Sequence, residues 1–272
     1  GNRKCNNILE EYKTLTEQNG ERIKFVGPQP VSMSKQMLDP DYPHNILKGY
    51  VVTEKADGIR AELFIDKNHE GYLITQKKEI ITTGLSFKGQ GSCILDGEYI
   101  TKDRKGKDIK LFMIFDVYYS SEFSTQPYTY PWSSKKGESR SQIIHTFKTD
   151  TSITYNDKYP YSNVRIGFKQ YLDGPEKLTK KKNGDFGNLM NIFKSTKRIL
   201  DMEENGFEYF TDGLIFLPLF NSVKAKDNVE IPDYIGGTWY QNFKWKPPNE
   251  NTIDFLIQIE KNTISSYGGH NI

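Results

Sequence analysis

Cysteine, long apolar runs and an excess of one charge are all scarce in this chain. The two cysteines among 272 residues, Cys5 and Cys93, exclude a disulfide framework and a thiolate metal cluster and make a reducing compartment the default. No apolar run approaches the roughly 18 residues of a membrane-spanning helix, so no membrane partner is expected. The opening stretch GNRKCNNILEEYKTL holds no apolar signal core. Thirty-seven basic against 35 acidic side chains leave a net charge of +2. That near-balance argues against general coating of nucleic acid and leaves room for a local basic groove. Apolar residues are few, at 36%, but aromatics reach 13% and supply the burial that aliphatic side chains do not. The length suits one large domain, or one domain with a small partner.

Along the chain, 7–18 has helical spacing, with Ile8, Leu9, Tyr12 and Leu15 on one side. The prolines and glycines of 20–48 predict an irregular lead-in. From 50 to 118 short β-rich runs follow one another (YVVTEK, RAELFI, GYLITQ, EIITT, CILDGEYI, IKLFMIFDVYY). Polar turns such as Asp66-Lys67-Asn68 and Lys105-Gly106-Lys107 separate them, which predicts an antiparallel meander. Residues 120–141 read as a loop, SQIIHTFKT as a short helix, and Val164–Phe168 as a strand. Lys180-Lys181-Lys182-Asn183-Gly184 reads as an exposed basic loop. A helix over 187–204 and strands at GLIFLPLF and NFKWKPP complete the pattern, followed by TIDFLIQIE. The class is α+β, mainly antiparallel sheets flanked by helices.

Five segments carry the chemistry. In Glu54-Lys55-Ala56-Asp57-Gly58-Ile59-Arg60 a lysine leaves an apolar strand at an Asp-Gly turn, where its amine can be held at the mouth of a sheet. Leu95-Asp96-Gly97-Glu98-Tyr99 places a carboxylate after a strand. Phe112-Met113-Ile114-Phe115-Asp116-Val117-Tyr118 ends a buried-type strand in an aromatic and an acid. Thr211-Asp212-Gly213-Leu214-Ile215-Phe216 is a second acid–glycine turn into a strand. Asn242-Phe243-Lys244-Trp245-Lys246 sets two lysines two apart, on one strand face. Each alone has an ordinary explanation as a turn or an edge strand. In this order they supply a nucleophilic amine, carboxylates for a metal and a ribose, an aromatic for a base and cations for phosphates.

That order resembles motifs I, III, IIIa, IV and V of the covalent nucleotidyltransferases, the DNA ligases, RNA ligases and mRNA capping enzymes. The resemblance runs from Lys55 to Lys246. Within the superfamily the form KADGIR, the upstream Gln29-Pro30-Val31-Ser32 and the stretch KWKPPNENTIDF are most similar to capping enzymes. Heavy use of Lys, Asn and Ile suggests an AT-rich source such as a large DNA virus. In such viruses the module often lies between triphosphatase and methyltransferase modules.

The resemblance implies that Lys55 attacks the α-phosphate of GTP, expels pyrophosphate and carries GMP as a phosphoramidate to a 5'-diphosphate RNA end. An amine attacks only when neutral, a form that nearby cations favour. Glu54, Asp57 and Gly58 beside Lys55 would take part in nucleotide binding, with Asp57 and Gly58 shaping the turn. Arg60 and Glu98 would contact the ribose and Phe115 would stack on guanine. Asp212, assisted by Glu98, would hold Mg2+ or Mn2+. Lys244 and Lys246 would hold the α-phosphate, and Lys194 would read the guanine edge. Where many capping enzymes carry an arginine after motif I, this chain has Gln76 or Lys77. The family also adds an OB-fold with a basic motif VI after motif V, whereas this chain ends at Ile272. The expectation is a nucleotidyltransferase domain over 1–250 and, over 251–272, the start of an OB-like segment. Two other readings stand beside guanylyl transfer, an ATP-dependent polynucleotide ligase and a silent nucleotide- or RNA-binding module. The expected location is the cytoplasm, in a viral factory or virion, and otherwise the nucleus.

Overall fold

The computed structural model describes residues 2–131, 139–160, 162–172, 192–223 and 237–248. After helix α1 (Asn2–Leu15), strand β1 (Gln29–Ser32) and a 3-10 turn (Lys35–Leu38), the chain enters β2 (Tyr50–Ala56), β3 (Ile59–Ile65), β4 (Glu70–Thr75), β5 (Ile80–Lys88), β6 (Cys93–Lys102) and β7 (Asp108–Ser120). Then come β8 (Phe123–Ser124), α2 (Arg140–Asp150), β9 (Ser152–Tyr155), β10 (Arg165–Phe168), α3 (Ile192–Met202), β11 (Thr211–Pro218) and β12 (Thr238–Trp245).

The meander predicted for 50–118 divides between two sheets. β2 pairs with β11, not with β3, in a sheet ordered β1-β12-β11-β2. The larger sheet is ordered β10-β7-β6-β3-β4-β5-β9, with β8 on β7. Most pairings are antiparallel, but β1 runs parallel to β12 and β10 parallel to β7. The chain passes from one sheet to the other through Asp57-Gly58, one residue past Lys55. Strand periodicity cannot show this division, because β2 and β3 alternate in the same way whichever neighbours they take.

Alternation along the strands builds the layers. Val51, Leu217 and Trp239 from the smaller sheet meet Phe64, Tyr72 and Ile94 from the larger one in a core between the sheets, which Ile8 and Tyr12 of α1 help to fill. Val52, Phe216 and Phe243 turn the other way, onto Ile192 and Ile199 of α3. Leu63, Leu73 and Leu95 likewise face Phe147 of α2. The order through the molecule is therefore helix, sheet, sheet, helix. Ser139 caps α2 by accepting from the Gln142 N–H at 3.2 Å. The buried Arg140 Nε, in the first turn of α2, donates to Asp116 Oδ1 at 2.9 Å and so clamps the helix to β7.

The predicted helix over 187–204 is described from Ile192. The basic loop at 180–184 and the segment 251–272 lie outside the described residues. Among the described residues no helix is long and apolar enough to cross a membrane.

Candidate active site

A cavity of about 310 Å3 opens between the two sheets. Its lining includes Lys55 at the end of β2, Gly58 in the turn, Arg60 on β3, Glu98 on β6, Phe115 on β7 and Lys244 on β12. Six of the predicted site residues, from five strands and one turn, therefore meet at one place.

Lys55 is fixed by an irregularity in β11. Thr211 pairs with Ala56 and Leu214 with Glu54, so Asp212 and Gly213 both stand opposite Lys55. Two residues against one is a β-bulge, a device that re-aims a side chain. Lys55 Nζ donates to Asp212 Oδ1 at 2.7 Å, and Lys246 Nζ lies 3.3 Å from Asp212 Oδ2. Gly213 has φ +141, and a Cβ there would stand 1.9 Å from the Trp245 carbonyl oxygen, so only glycine fits the bulge. Gly58 is equally confined, since a Cβ would lie 2.6 Å from the Tyr99 carbonyl oxygen.

Arg60 is committed to the protein. Its Nε donates to Asp96 Oδ1 at 3.2 Å, its Nη2 to Asp96 Oδ2, and its Nη1 to the Pro28 carbonyl at 2.7 Å. Tyr118 donates to the same Asp96 at 2.6 Å. Glu98 faces Arg60 across the β3–β6 ladder. Burial pushes its carboxyl up to about 7, against the opposing pull of Lys169, Lys55 and Arg60.

Five predicted residues are not in the cavity lining. Asp212 and Lys246 stand beside it through their contacts with Lys55 and with each other, and Glu54, Asp57 and Lys194 lie apart. The Glu54 side chain points into a buried network, where Tyr209 and Thr53 donate to its two oxygens at 2.7 Å each. Alternation explains this, because neighbours on a strand face opposite ways and Lys55 takes the cavity side. Asp57 is exposed in the turn, and its N–H donates to the Phe210 carbonyl at 2.9 Å. Lys194 is exposed on α3, which packs on the far face of the smaller sheet. Lys194 is not among the residues that line the cavity.

The sequence reading gave no role to Lys169, Tyr171, Gln29, Trp239 or Asn242, all of which line the cavity. The Lys169 side chain is 3% exposed, donates to the Glu54 carbonyl at 2.8 Å and stands 5.5 Å from the centre of the Phe115 ring. Arg60 lies 5.9 Å from the same ring. Lys169 directly follows β10, and a lysine at a strand end was the available signal. Gln76 also lines the cavity and donates to Gln29 Oε1 at 3.0 Å.

Among the described residues, no three histidine, cysteine or carboxylate side chains come together as a metal cage. Asp212 and Glu98 are carboxylates at or beside the cavity. Hard divalent cations such as Mg2+ are commonly held by one or two carboxylates together with substrate phosphates and water. The donor set fits an ion shared with a nucleotide.

A lysine amine between two sheets, backed by further cations and an aromatic ring, suits a lysine nucleotidyltransferase. Residues 2–248 match the family model for the mRNA capping enzyme catalytic domain, and the chain belongs to that family. It is 24% identical over 253 residues to the mRNA-capping enzyme subunit alpha of Yarrowia lipolytica, covering 88% of this chain and 55% of that protein. It is 25% identical over 252 residues to the mRNA-capping enzyme of Danio rerio, covering 89% and 36%. With the probable mRNA-capping enzyme of Acanthamoeba polyphaga mimivirus the figures are 27% over 282 residues, 93% and 23%. The chain thus spans about half, or less, of the length of these relatives. Among solved structures, the ligase domain of M. tuberculosis LigD is 14% identical over 81% of this chain, with a TM-score of 0.45.

Proposed function

We propose that this chain is a guanylyltransferase module, with residues 1–250 as the unit that captures GMP. The observation that carries the reading is the Lys55 amine, presented to the cavity and hydrogen-bonded to Asp212 at 2.7 Å. Lys55 Nζ attacks the α-phosphorus of GTP. The N–P bond forms, the bond from that phosphorus to the bridging oxygen breaks, and pyrophosphate leaves with the electron pair. Asp212 is placed to accept the proton that the attacking nitrogen sheds. GMP then passes from Lys55 to the terminal phosphate of a 5'-diphosphate RNA, which frees the amine.

Lys244 and Lys246 hold the α-phosphate and offset its charge. Phe115 offers a face to the base, and Glu98 and Gly58 lie at the level of the sugar. Arg60 acts chiefly by holding the Pro28 carbonyl and the Asp96 carboxylate. Bound Mg2+ or Mn2+, held by Asp212 with Glu98, would neutralise phosphate charge and stabilise departing pyrophosphate. The family match and the capping-enzyme relatives support GTP as the donor. Triphosphatase and methyltransferase modules on the same polypeptide are part of the proposal, as is action where nascent RNA ends are made: a cytoplasmic viral factory or virion, and otherwise the nucleus.

The test is labelling with GTP or ATP carrying a radioactive α-phosphate, in the presence of a divalent cation. The expected result is stable label from GTP at a rate at least about a hundredfold above ATP, since a site built for one base edge leaves polar groups unpaired with another. Equal or preferential labelling by ATP would move the assignment to a polynucleotide ligase, and label from neither nucleotide to a binding module.

A further inference from the structure

One wall of the cavity is not built by a central strand. Pro28, Gln29 and Pro30 line it, at the entry to the short edge strand β1. Pro28 and Pro30 have no N–H to donate, so backbone pairing holds this stretch only in part. Side chains from the larger sheet add to the hold. Arg60 Nη1 donates to the Pro28 carbonyl at 2.7 Å, and Gln76 donates to Gln29 Oε1 at 3.0 Å. The Arg60 guanidinium also stands 5.4 Å from the centre of the Phe25 ring. A Cβ on Gly27 would lie 2.8 Å from Arg60 Nη2, so a glycine there lets the two come together.

The same stretch is held from its other side by α1 and the turn after it. The Tyr12 hydroxyl, fully buried, accepts from the Val26 N–H at 2.8 Å and donates to Glu62 Oε2 at 2.6 Å. Gln18 brackets Lys24: its Oε1 accepts from the Lys24 N–H at 2.7 Å and its Nε2 donates to the Lys24 carbonyl at 2.9 Å. Glu62 lies two residues from Arg60 on β3, on the same face, and opposite Asp96 in the β3–β6 register. Tyr12 therefore joins the wall to the strand that carries Arg60. Burial raises the Glu62 carboxyl well above its ordinary value, and Asp96 adds to the effect, so Tyr12 bonds to a neutral acid. Tyr12, Gln18 and Glu62 are themselves outside the cavity lining.

We propose that Tyr12 and Gln18 are positioning residues for nucleotide capture, which hold 24–30 in place as a ready-made wall of the cavity. The proposal rests on the guanylyltransferase reading. Neither side chain touches the nucleotide. A wall already in place need not be ordered by the arriving nucleotide. A loose wall must be ordered as the nucleotide binds, and that cost lowers affinity. Once the nucleotide is bound the wall is the same in both cases, so the rate at saturation is unaltered.

The experiment is single-turnover labelling of Lys55 as a function of GTP concentration, with a divalent cation, for the parent and for Tyr12→Phe, Gln18→Met and Glu62→Gln. Thermal melts of each fix a temperature at which all are folded. Tyr12→Phe should raise the half-saturating GTP concentration about tenfold, the effect of one net hydrogen bond, with the saturating rate kept within about twofold. Gln18→Met should raise it about threefold, since its bonds are more exposed. Glu62→Gln keeps a neutral acceptor for the Tyr12 hydroxyl and should leave half-saturation within about twofold of the parent. A part confined to holding the fold together would lower the melting midpoint of Tyr12→Phe and leave its half-saturation at the parent value. That result would overturn the proposal, as would a loss confined to the saturating rate. Should Tyr12→Phe fail to fold, the half-buried Gln18→Met decides alone. A parent labelled by ATP and not by GTP would overturn the guanylyltransferase reading only, and the same comparison is then made with ATP. Labelling of the parent by neither nucleotide would overturn both.

Discussion

Glu98 sits opposite Arg60 in the β3–β6 register, and its carboxyl is raised from 4.5 to about 7, chiefly by burial. A folded-state value above the unfolded one means that the native protein holds a proton which the unfolded chain has already released. The Glu98 contribution to stability is then fully present at acid pH and is lost as pH rises from 4.5 to about 7. Above that window it changes no further. Glu98→Gln, which cannot ionise, should therefore gain in melting temperature relative to the unsubstituted protein across this interval and hold a constant difference above it. Melts at intervals of pH check the sign. A difference that shrinks as pH rises would mean that neighbouring cations, and not burial, govern the group. Other residues show where one-dimensional reading stops. The sequence motif placed Lys55, Glu98 and Phe115 in one site because each type has a distinct chemical use. It had no means of knowing that the Glu54 carboxylate is engaged by Tyr209 and Thr53, or that Arg60 is held by Asp96, since those partners are distant in sequence.

At the scale of elements, the bulge in β11 makes the site. Asp212 faces Lys55 only because Gly213 absorbs the extra residue, at φ +141 and against the Trp245 carbonyl. Gly213→Ala should cost more than about 1 kcal/mol of stability, from a strained backbone and a blocked approach. It should also shift the end of β12 that leads to Lys246 and slow lysine labelling by about tenfold or more. Urea unfolding and labelling rates measure the two effects. An alanine variant as stable and as fast as the parent would mean that the bulge is incidental. The sequence marked Asp212-Gly213 as an acid–glycine turn before a strand, and such a turn does not announce a bulge. Similarly, NFKWKPP announced a strand with lysines on one face, but not that β12 begins at Thr238 and shifts register against β1 between Trp239 and Phe243. The long strands β2 to β7 were legible because apolar alternation and polar turns bound each of them. The short β8 and β9 were not, because two to four residues carry too little pattern.

The described residues form two sheets packed face to face with a helix on each outer face, and the cavity occupies part of the seam. Sequence alternation shows that a strand has two faces but not which sheet receives it. β2 and β3 are close in the chain, yet they belong to different sheets, and their joint at Asp57-Gly58 sets Lys55 on the seam. Segment 169–172 makes a second tie. It leaves the larger sheet after β10 and bonds to β2 through Val52 and Leu172, at 2.8 and 2.7 Å. Through that tie Lys169 enters the cavity behind Phe115. The arrangement gives both walls of the cleft to this chain, one carrying Lys55, Asp212 and Lys244 and the other Arg60, Glu98 and Phe115. On the proposed reading, capture of the nucleotide belongs to these residues together, with Lys55 as the point of covalent attachment. The most direct measurement is incubation with GTP labelled at the α-phosphate and a divalent cation, followed by denaturing electrophoresis and peptide mapping, for the parent and for Lys55→Ala. The account predicts an acid-labile, alkali-stable label that maps to the peptide containing Lys55 and is absent from Lys55→Ala. Label retained by Lys55→Ala, or mapped to any other lysine, would contradict it.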